Sequence, residues 1–108
     1  MLEKKDYCDL DTSHELWIMG LEPEAYYDGP LILLYEAQKW LREEKGIIVE
    51  VFVDDDSDTP ITYNIYKDGE CVCHHHGGYW PVKEWETALS EGIKDAVEIL
   101  KENETIHE

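Results

Sequence analysis

Apolar positions in this chain recur at helical spacing in three stretches and alternate in three others. Leu10, His14, Trp17, Ile18 and Leu21 follow the three-and-four spacing of one helical face. Thr12-Ser13-His14-Glu15 fits a capping box and Gly20 a C-terminal stop, which predicts a short helix over 12–19. From Glu22-Pro23 to Gly29-Pro30 the chain reads as an irregular connection, so residues 1–29 form a short helix plus an irregular segment. Leu33, Leu34, Ala37, Trp40 and Leu41 make the second stripe, opposite Glu36, Lys39, Arg42 and Glu43, and predict a helix over 33–45. Gly46 should end it in a left-handed conformation.

Ile47, Val49, Val51 and Val53 alternate through a β-branched run, predicting a strand over 47–53. The acidic run Asp54-Asp55-Asp56-Ser57-Asp58-Thr59-Pro60 must be a loop, because adjacent carboxylates repel. Strands over 61–67 and 70–76 follow, joined by Asp68-Gly69, a strong two-residue hairpin signal. After Gly77-Gly78-Tyr79-Trp80-Pro81, residues Trp85, Ala88, Leu89, Gly92, Ile93, Ala96, Val97 and Leu100 predict a helix over 83–102, with 103–108 frayed.

The predicted fold is a single α+β domain over 1–108. It is a three-stranded antiparallel meander with helices packed on one face, in the order α-α-β-β-β-α. The last helix should set its Trp85–Ile93–Leu100 face on Val49, Val51, Tyr63 and Ile65. Ile48, Phe52, Tyr66, Cys71 and Cys73 would then face away, to be covered by the N-terminal segment or by a second copy in a homodimer. Trp17, Trp40 and Trp85 fall on apolar stripes and are expected in the core, with Trp80 half exposed.

The last four elements, α-β-β-β-α, resemble double-stranded RNA-binding domains in topology. Those domains open their final helix with a lysine cluster, whereas this chain has Val82-Lys83-Glu84-Trp85-Glu86. The segments Leu34-Tyr35-Glu36-Ala37-Gln38-Lys39-Trp40-Leu41-Arg42-Glu43 and Glu86-Thr87-Ala88-Leu89-Ser90-Glu91-Gly92-Ile93-Lys94 resemble a family of small proteins of gut bacteria and their mobile elements. That resemblance implies no activity and assigns no site residue.

Charge changes the picture most. The chain carries 26 acids against 9 Lys and Arg, a formal net charge of −17. The acids are spread along the whole chain, and only 31–53 is nearly balanced. Such a surface repels phosphate backbones and anionic lipid, which argues against direct nucleic-acid binding and membrane association. It favours a basic protein as partner. The start of the chain has acids where a signal peptide needs an apolar stretch, and three cysteines cannot complete a disulfide framework. A cytoplasmic protein with reduced thiols is expected.

Three constellations are candidates for chemistry. Glu84, Glu91, Asp95, Glu98 and Glu102 form a carboxylate stripe on the last helix, beside a neighbouring stripe of Lys83, Lys94 and Lys101. Asp54, Asp56 and Asp58 occupy the first, third and fifth places of a calcium loop, but the sixth is Thr59 instead of Gly and the twelfth Ile65 instead of Glu. Glu91, Asp95, Glu98, Asp54, Asp56 and Asp58 are thus the candidate acidic contact surface, with a mimic of nucleic-acid charge as its sharpest form. Cys71, Cys73 and His75, in Cys71-Val72-Cys73-His74-His75-His76, are the alternative, a metal site of a small metal-dependent module or enzyme. No nucleophile elbow, phosphate-cradling loop or helical His-Glu-x-x-His is present. Neither catalytic residues nor a cofactor is expected.

Overall fold

Asp68 and Gly69 both take positive φ, 53° and 87°, the backbone of a tight hairpin turn whose twist matches that of its strands. The structure, a computed structural model, describes residues 6–23, 25–27, 29–54, 57–74 and 78–106. Around that turn lie β4 (Ile61–Lys67) and β5 (Glu70–His74), and β3 (Ile47–Val53) pairs with the other edge of β4. Both pairings are antiparallel, with β3 and β4 in register from Ile47↔Lys67 to Val53↔Ile61. The expected meander and its strand order are observed.

Two helices cover the sheet. In α2 (Leu34–Lys45), Leu34, Ala37 and Leu41 are buried, and Gly46 ends it at φ 66°, as its sequence requires. The helix also guards a sheet edge. Gln38 Nε2 donates to the Val49 carbonyl at 2.7 Å, occupying a β3 group that would otherwise invite another strand. A 3-10 turn, Val82–Glu84, leads into α3 (Trp85–Ile106). Leu89, Ile93, Ala96, Val97 and Leu100 join Ile47, Val49, Tyr63 and Ile65 in one core, with Val51 packed against it. The helix continues to Ile106, beyond the point where fraying was expected.

The N-terminal third departs from its expected form. The first helix, α1 (Leu10–Ile18), begins two residues early because Asp9, not Thr12, is its N-cap, accepting from the Thr12 amide at 2.7 Å. Its buried residues are Thr12, Ser13 and Leu16, while Leu10, Trp17 and Ile18 are 51%, 43% and 67% exposed. The apolar stripe read from periodicity therefore points outward. The small Thr12 and Ser13 face the interior, and the Ser13 hydroxyl is satisfied by donating to the Cys8 carbonyl at 3.4 Å.

The connection expected to be irregular contains a hairpin of β1 (Ala25–Tyr26) and β2 (Pro30–Leu31). Trp17 reaches it, packing edge-on against Tyr26 at 5.8 Å between ring centroids. Trp17 thus pins the hairpin to α1 rather than filling the core. The remaining tryptophans are half-buried, Trp80 stacking on the fully buried Tyr63 ring. Trp80 also exchanges two backbone hydrogen bonds with Ile61, which closes the end of β4 beyond β5.

Because α1 packs against β2 and α3, it does not cover the outer sheet face. Ile48 and Val72 there are each 45% exposed, and Phe52, Tyr66 and Cys71 are half-buried. Among the described residues, no helix is long and apolar enough to cross a membrane.

Candidate functional site: an acidic groove beside the last helix

The acidic residues singled out from sequence separate into three groups once the chain is folded. Asp95 turns inward, and its carboxylate accepts a hydrogen bond from the Tyr63 hydroxyl. Tyr63 is fully buried, so its hydroxyl needs a partner there, and Asp95 serves the core. Glu98 lies 3.7 Å from Lys101, which also donates to Glu15 on α1 at 3.3 Å. The hydrogen bond to Glu15, then the charges of Glu15 and Glu98, hold the Lys101 ammonium above its usual pKa. The stripe on α3 is thus interrupted at Asp95 and partly neutralised at Glu98. Asp54 accepts from the Tyr79 hydroxyl at 3.2 Å, Asp58 is exposed, and Asp56 lies outside the described residues.

Glu91 belongs to a different setting. It lines a groove of about 770 Å³ between the segment before α1, the β1–β2 hairpin and the first half of α3. Tyr7, Cys8, Leu10, Tyr27 and Leu31 form its apolar part, and Asp9, Glu86 and Glu91 its charged part, with Thr87 and Ser90 between the two glutamates. Among the described residues, no Lys, Arg or His lines it. Lys94 lies 3.9 Å from Asp9 and is half exposed, a distance at which an exposed pair contributes little.

Burial pushes the Cys8 thiol up to about 12, and the neighbouring Asp9 carboxylate adds to this, so Cys8 is no nucleophile at neutral pH. The thiol keeps its proton in the fold but ionises near its ordinary value of 9.0 when unfolded. Its contribution to stability is therefore complete below that value and lost as pH rises toward about 12. Urea denaturation of the parent and of Cys8→Ala should show the parent losing up to about 1.4 kcal/mol more per pH unit above pH ~9. Equal pH slopes for the two proteins would place Cys8 in contact with water.

The thiol and histidine strand is not the regular row its sequence implied. The ladder shifts register between Ile65 and Tyr66, so Ile65 pairs with Cys73 but Tyr66 with Cys71, and Val72 is the extra residue of a bulge. The alternation that aligned Cys71, Cys73 and His75 is broken at that point. His75 lies outside the described residues, as do the side chains of Cys73 and His74. Among the described residues, no three His, Cys, Asp or Glu side chains converge as metal ligands.

No known protein family, curated protein or solved structure matches the chain. The groove thus has to be judged on its own chemistry. Sequence reasoning missed it because it joins residues 7–10, 27–31 and 86–91, which only the unexpected hairpin brings together. One signal was available: Tyr26 and Tyr27 fall on none of the predicted apolar stripes, and Tyr27 lines the groove.

Proposed function

We propose that this chain is a non-enzymatic interaction protein that binds a basic protein through its acidic surface. What carries the reading is where the positive charge goes. Lys67, Lys94 and Lys101 each lie within 4 Å of a carboxylate of the same chain, while the net charge remains −17. The field presented outward is therefore negative, which speeds encounter with a cationic partner and disfavours nucleic acid and anionic lipid.

Mimicry of nucleic-acid charge by α3 draws less support, because Asp95 is turned to Tyr63 and Glu98 is paired with Lys101. The broader reading is tested by affinity capture from a cell lysate at about 0.1 M salt, where surface charges still act over roughly 10 Å. Captured proteins should be basic and should be released as salt is raised. Retention independent of salt, or direct binding of duplex DNA, would remove the charge-based reading. Competition between a captured partner and duplex DNA would restore the mimic.

A further inference from the structure

We infer that the groove beside α3 receives an amphipathic, cationic segment of the partner protein. Its apolar side chains would lie against Leu10, Tyr27 and Leu31, and its Lys or Arg side chains would point to Asp9, Glu86 and Glu91. This rests on the proposed binding of a basic protein and names the site and the form of the segment.

The two walls of the groove exclude simpler occupants. A purely apolar ligand would strip water from carboxylates and offer them nothing, which costs several kcal/mol per buried ion. A fully hydrated cation would leave Leu10 and Tyr27, 51% and 76% exposed, still facing water. An anion meets three carboxylates and, among the described residues, no base. Only an occupant with one apolar and one cationic side satisfies both walls.

Size and shape agree. At about 770 Å³ the groove is in the range of specific binding pockets, about 300–1,000 Å³, and has room for several side chains. From Glu86 to Glu91 the acidic wall runs about 7–8 Å along the helix axis, the length of one to two turns of a bound peptide. Outside the groove, Tyr26 and Trp17 pack edge-on against each other and are 60% and 43% exposed, a further apolar pair on the same hairpin and helix.

Three short synthetic peptides test the inference by titration into the isotope-labelled full chain at about 0.1 M salt. One alternates Leu and Lys on opposite helical faces, one replaces Leu by Ser at the same charge, and one replaces Lys by Ser. The Leu/Lys peptide should bind at least about tenfold more tightly than either control, with amide shifts centred on the groove. The double variant Glu86→Gln with Glu91→Gln should weaken it about tenfold or more. Tyr27→Ala, at a residue too exposed to threaten folding, should reduce its advantage over the Ser/Lys peptide. Equal affinity for the Leu/Lys and Ser/Lys peptides would overturn the groove while leaving charge-driven binding intact. Equal affinity for the Leu/Lys and Leu/Ser peptides would overturn its acidic wall. If neither Lys-bearing peptide bound even at low salt, the proposed function would fall with it.

Discussion

Gly92→Ala should destabilise the protein by about 2 kcal/mol, although the same change in an ordinary helix interior stabilises by about 1 kcal/mol. The reversal comes from how closely α3 approaches the sheet. A Cβ at Gly92 would stand 2.5 Å from Val49 Cγ1 and 3.3 Å from two ring atoms of Tyr63. Neither neighbour can yield cheaply. Val49 is β-branched and stiff about its first torsion, and Tyr63 is fully buried with its hydroxyl held by Asp95. Overpacking of this kind costs typically 1–3 kcal/mol, and the short Val49 contact puts the cost at the upper end before the helix gain is deducted. Gly92→Leu should cost still more. Urea denaturation would register both as lowered midpoints with an unchanged slope. If Gly92→Ala stabilised the protein instead, α3 would have to sit farther from β3 and β4 than described.

Gly92 also marks the boundary of what was legible in the sequence. Its place on the apolar face of α3 follows from periodicity, whereas the reason for a glycine there lies in Val49 and Tyr63, residues far away in the chain. The same division runs through the fold. Gly46 after α2, the β-branched run of β3 and the Asp68-Gly69 turn are local signals, and each produced the element expected of it. Long-range partners decide the rest. Nothing within α1 states that Thr12 and Ser13, rather than Trp17 and Ile18, will meet the interior, because that depends on how α1 lies against α3 and the β1–β2 hairpin. The bulge at Val72 is likewise a property of the pair β4–β5 and not of either strand alone. Of the candidate site residues, Glu91 reached a groove with chemistry of its own, but the hairpin wall that completes the groove lay in a stretch read as irregular.

Asp95→Ala should cost about 1–3 kcal/mol of stability, whereas Glu91→Ala and Glu98→Ala should each change it by about 0.5 kcal/mol or less. On sequence the three are equivalent members of one carboxylate stripe. In the fold, Asp95 is half-buried and accepts from the hydroxyl of Tyr63, which is closed off from water and would be left without its Asp95 acceptor. Tyr63→Phe removes the donor together with the demand, and the remaining carboxylate is still half exposed, so it should cost less, about 0.5–1.5 kcal/mol. Once Tyr63 is Phe, the later loss of Asp95 should be smaller than in the parent, and the double-mutant cycle should report a coupling of about 1 kcal/mol. Additive effects, or an Asp95→Ala variant as mild as Glu91→Ala, would show that the bond contributes nothing to the core. The consequence reaches the binding experiments. Neutralising Glu91, Asp95 and Glu98 together would mix a loss of core stability with a loss of surface charge, so weakened binding in such a variant would carry no message about the surface. Glu86 and Glu91 are the better pair for that purpose, because both line the groove.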